Sequence, residues 1–84
     1  MFQVSVLVNE LLVDVIGWIG AGLILFAYFQ ISKGKFSGDS TYYQLLNVFG
    51  SAFLIINTLY YGAIPSAAVN IIWIAIALYV LLKN

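Results

Sequence analysis

Cysteine and histidine are both absent from the 84 residues. Without cysteine there is no disulfide and no thiolate metal site. Without histidine the commonest metal ligand and neutral-pH general base is missing. Charge is scarce too, at 7% of residues, where a soluble domain carries roughly a quarter. The net charge is zero and no basic run occurs, which argues against nucleic acid as a partner. The carboxylates Glu10, Asp14 and Asp39 are scattered, and no glycine-rich phosphate loop follows a strand. No catalytic residue, no metal site and no cofactor is expected. Proline occurs once, at Pro65.

What fills the chain instead is hydrocarbon, since 64% of its residues are hydrophobic. A soluble fold of this size cannot cover that much apolar surface, so the expected solvent is the lipid bilayer. One domain over residues 1–84 is expected. The opening MFQVSVLVNELLVDV has no basic residue and carries Glu10 and Asp14, unlike a secretory signal, and reads as retained.

Hydropathy predicts an all-α membrane protein with spans over about 11–31, 42–61 and 66–82. Residues 1–10 are expected as an extra turn or two on the outer surface. The segment 32–40, SKGKFSGDS, is the clearest loop. Asp39-Ser40-Thr41 supplies N-cap chemistry for the second helix. Gly62 is a natural stop and Pro65 a natural first-turn residue, so spans two and three form an antiparallel hairpin. Lys33, Lys35 and Lys83 fall on one side after three crossings, which the positive-inside rule makes cytoplasmic, together with the C-terminus. The N-terminus is then outside, with Asp14 at headgroup depth. A proton-coupling role is the functional alternative for Asp14.

Asn47, Asn57 and Asn70 sit deep inside these apolar segments. An unpaired amide in hydrocarbon costs on the order of a few kcal/mol. The three therefore mark either hydrogen-bonded seams between helices or a cavity for a polar solute. On span two, Tyr43, Gln44, Asn47, Gly50, Ser51, Leu54, Thr58 and Tyr61 share one face. Leu45, Val48, Phe49, Ala52, Ile56, Leu59 and Tyr60 share the other, and Asn57 lies at the boundary. On span three, Ser66, Ala67, Asn70, Trp73, Ile74 and Ala77 fall together. In span one, Gly17 and Ala21 form a small-xxx-small pair suited to close helix approach. Two copies would close a six-helix homodimer with the polar stripes facing a central axis.

The stretch AYFQISKGKFSGDS, the ending TLYYG and the asparagine at position 70 resemble the SemiSWEET proteins of the PQ-loop group. The resemblance covers roughly Gly17 to Lys83. Gln30 stands at the family's Gln position, and Phe29 stands where the family has proline. The resemblance implies a bacterial inner-membrane protein, a parallel homodimer that passes a small neutral solute, a sugar, by alternating access. Asn70 would be the pocket asparagine, with Asn47, Ser51 and Thr58 extending the polar lining and Trp73 stacking on the solute. Phe29, Gln30, Tyr43 and Tyr61 would take the hinge and gate positions. The competing reading is an accessory membrane protein whose polar stripe is only helix-packing glue.

Overall fold

The computed structural model describes residues 2–83. Met1 and Asn84, the ends of the expected domain, lie outside the described residues. Three helices follow one another: α1 over Phe2–Ser32, α2 over Thr41–Tyr60 and α3 over Ile64–Lys83.

The largest departure from expectation is at the start. α1 takes up residues 2–10, expected as an extra turn or two on the outer surface, in one unbroken helix of 31 residues, or about 46 Å at 1.5 Å per residue. No glycine or proline precedes Gly17, so nothing stops the helix from propagating. α2 and α3 have 20 residues each, a rise of about 30 Å. α3 begins two residues before the expected Ser66, with Pro65 inside its first turn.

The caps fall where the residue chemistry puts them. Ser40 Oγ accepts the Tyr43 N–H at 3.3 Å, capping α2. The Gln44 side chain donates to Gly38 O at 2.6 Å and ties the loop to the helix. At the other end of α2, Gly62 adopts φ +71°, which glycine takes without strain. That geometry lets Ala63 N–H reach Thr58 O at 2.8 Å and Gly62 N–H reach Leu59 O at 3.1 Å. This pair of bonds is a Schellman stop. Gly34 ends α1 the same way, with Lys35 N–H on Gln30 O at 2.9 Å.

α2 is the central helix. It packs against both α1 and α3, which share no interface with each other among the described residues. The α1–α2 crossing is set by glycine. A Cβ added at Gly20 would lie 2.8 Å from Gly50 O and 2.8 Å from Phe53 Cβ, so only a bare Cα fits. Gly17 is likewise closed off, by the Asn57 side chain. The close pair is therefore Gly17 and Gly20. Ala21, expected to partner Gly17, shares with it the lining of a cleft beside the crossing.

The burial pattern is inverted relative to a soluble domain. Gln44, Asn47 and Ser51 are buried, whereas Trp18, Leu25 and Leu82 are exposed. The buried apolar residues are small: Val13, Ala27, Ala67 and Ala77. α1 and α3 are long and apolar enough to cross a membrane. α2 matches α3 in length, but Gln44, Asn47, Ser51, Asn57 and Thr58 dilute its apolarity. The three spans expected from hydropathy are thus two strongly apolar helices flanking a more polar one.

Candidate functional site

Because α1 and α3 flank α2 without touching, they leave a concave face along α2, and two clefts open on it. The larger, about 450 Å³, is lined by Leu54 and Thr58 of α2 and by Pro65, Ser66, Val69 and Asn70 of α3. The second, about 250 Å³, is lined by Asp14, Gly17, Trp18 and Ala21 of α1 with Leu54 and Asn57. Leu54 belongs to both and forms the ridge between them. A third cleft of about 170 Å³, toward the loop end, is lined by Tyr43, Gln44, Asn47, Trp73, Ile76 and Ala77.

The three asparagines divide sharply. Asn57 Nδ2 donates to Val13 O across the α1–α2 seam at 3.0 Å, through the space that Gly17 leaves open. Asn47 is buried, with Nδ2 on Tyr43 O at 3.0 Å and Oδ1 accepting the Trp73 indole N–H at 2.9 Å. Each of these two amides makes one bond to a neighbouring helix. Asn70 is half-buried, forms no side-chain hydrogen bond among the described residues and lines the 450 Å³ cleft. Of the three, it is the one whose amide nitrogen and oxygen are both without a partner among the described residues.

The remaining expected site residues are spread out. Thr58 shares the Asn70 cleft, but its hydroxyl donates to Leu54 O at 2.8 Å, a bond back to its own helix. Ser51 is fully buried and its Oγ has no partner, so it is sealed in helix packing rather than presented at a cleft. Trp73 uses its N–H on Asn47 and leaves much of its ring exposed. Its ring is at the wall of the third cleft, not that of Asn70.

The expected hinge and gate residues occupy the two ends. α1 passes through Phe29 and Gln30 without a break, as a helix keeping its N–H at position 29 should. Phe29 is exposed, with the Lys33 ammonium 5.0 Å from its ring centre. Gln30 is half-buried. Tyr43 stands at the loop end with its ring 6.3 Å from that of Phe36. Tyr61 stands at the opposite end, where its hydroxyl donates to Asp14 Oδ1 at 2.5 Å and links α1 to the end of α2.

Two relationships escaped the sequence reading. The Asp14–Tyr61 link could have been found by matching depth, since both residues lie near the same span end. The Gly17–Asn57 fit could have been found by pairing the boundary asparagine with the nearest helix glycine. No curated protein and no solved structure matches the chain. A protein-family model, that of an uncharacterised family, matches residues 13–84, and the chain belongs to that family.

Proposed function

We propose that this chain is an integral membrane protein with three spans, and that two parallel copies join their concave faces around a path for a small neutral polar solute. The observation that carries the proposal is the unpaired Asn70 amide at a 450 Å³ cleft, within the ~300–1,000 Å³ range of small-molecule sites. The other two asparagines each bond a neighbouring helix, and Asn70 bonds none, so helix glue does not account for it. The inverted burial supports the bilayer as solvent, because apolar side chains face outward from all three helices.

In this reading the lysine-bearing loop is cytoplasmic and the Tyr61 end faces outside. The Asp14–Tyr61 bond closes the outer end of the path, and Tyr43 with Phe36 narrows the inner end. Asn70 offers a donor and an acceptor to hydroxyls, and Leu54, Pro65 and Val69 offer the cleft's apolar wall. No charged side chain lines the Asn70 cleft, which favours a neutral solute, and the SemiSWEET resemblance makes that solute a sugar.

A non-transporting accessory protein is the second reading. The Asn57–Val13 and Asn47–Trp73 bonds favour it, since both are seams of the kind it needs.

Flux of neutral sugars and polyols into liposomes separates the two. The wild-type protein is expected to pass at least one of them faster than empty vesicles. Asn70→Ala should lower its affinity about ten- to a hundredfold while the dimer's melting temperature holds. Unchanged flux with a destabilised dimer would transfer Asn70 to the packing role. No flux from the wild type would leave the accessory reading standing.

A further inference from the structure

A fourth cleft lies on the other flank of α2, where the solute path makes no use of it. It has about 370 Å³ and is lined by Leu23 of α1 and by Tyr42, Leu45, Leu46, Phe49 and Phe53 of α2. Its one polar group is the Tyr42 hydroxyl, at the loop end. Leu45 and Phe49 belong to the face turned away from Asn47, so pairing through the concave face leaves this cleft open.

From Tyr42 to Phe53 the cleft extends about 16 Å along α2. One leaflet of a ~30 Å hydrocarbon core is about 15 Å deep. The cleft thus begins at the interfacial end of α2 and stops near the midplane, as a single acyl chain does. Above its mouth, the Phe36 ring packs on Tyr42 at 5.2 Å between centres. Phe36 is next in sequence to Lys35, and both Lys33 and Lys35 are exposed. Every lysine in the chain is at this end, where Asp39 is the one acidic side chain, and the carboxylates Glu10 and Asp14 are at the other.

We propose that this cleft binds an anionic phospholipid of the lysine-bearing leaflet, with one acyl chain along Leu45, Phe49 and Phe53 and its phosphate on Lys33 and Lys35. The inference rests on the membrane reading above, but not on transport. Its occupant is defined by chemistry: a chain one leaflet long with a negative head.

The test is native mass spectrometry of the full chain in mild detergent, titrated with phosphatidylglycerol or with phosphatidylcholine of the same acyl chains. Wild type should hold phosphatidylglycerol about tenfold or more tightly than phosphatidylcholine, because two exposed lysines lie in the loop at the cleft's interfacial end. Lys33→Gln with Lys35→Gln, confined to the exposed loop, should abolish that preference. Leu45→Trp fills the cleft away from the α1–α2 crossing and should weaken both lipids about tenfold with the circular dichroism spectrum unchanged. Equal retention of both lipids by the wild type overturns the head assignment. Undiminished binding by a folded Leu45→Trp overturns the chain assignment. A protein recovered in the soluble fraction without detergent would instead sink the membrane reading itself, which is a separate result.

Discussion

At the scale of single residues, an amide inside an apolar bundle has meaning only through its partner. Asn57 shows the glue role in its simplest form: the bond to Val13 O exists because Gly17 has no Cβ. Gly17→Ala would drive a methyl into the Asn57 side chain, an overpacking that costs about 1–3 kcal/mol. Asn57→Ala loses one interhelical bond, worth ~0.6–2 kcal/mol. The two losses should not add, because shortening Asn57 removes most of what the new methyl would strike. A double-mutant cycle on thermal melting in detergent is expected to show the pair less destabilised than the sum of the singles. Strict additivity would mean that the two side chains do not meet. Asn70 has no such partner, and its substitution should register in solute affinity rather than in melting.

At the scale of elements, helix boundaries with a capping residue were legible, and the start of α1 was not. Ser40 and Gly62 carry local chemistry that fixes a cap whatever surrounds it, and both act as their residue types predict. The start of α1 has no such signal. Residues 2–10 carry no cap, glycine or proline, so nothing local marks a boundary there, and the helix runs past Glu10 and Asp14 without a break. The two faces of α2 were also legible, since Gln44, Asn47, Gly50 and Ser51 are buried as the 100° periodicity predicts. Which small residues make the crossing was not. Gly20 and Gly22 look alike in sequence, but a Cβ at Gly22 would meet nothing within 4 Å, whereas one at Gly20 would press on Gly50 backbone. Gly20→Ala should therefore push α1 off α2 and lower the melting temperature. Gly22→Ala should be neutral, or stabilising by up to ~1 kcal/mol through helix propensity. Equal effects of the two would refute the crossing point.

At the scale of the whole molecule, the order of the helices decides what a second copy can do. Periodicity finds the polar face of α2, but it cannot say that α1 and α3 stand apart on either side of it, because that depends on which small residues meet. Leu54 lies where the two main clefts join, at the base of the concave face. Ile56 lies two residues on, on the exposed opposite face. If two copies join concave face to concave face, a cysteine at position 54 should be crosslinked to its copy by a short bifunctional maleimide in native membranes. A cysteine at position 56 should remain monomeric under the same treatment. The chain has no cysteine of its own, so each single-cysteine variant reports one position. Crosslinking at 56 and not at 54 would place the partner on the apolar flank and leave the Asn70 cleft open to lipid. In that arrangement the Asn70 amide would face hydrocarbon unpaired, at a cost of a few kcal/mol, and the solute path would have no second wall. The position 54 crosslink is the expected result because it spares the protein that cost.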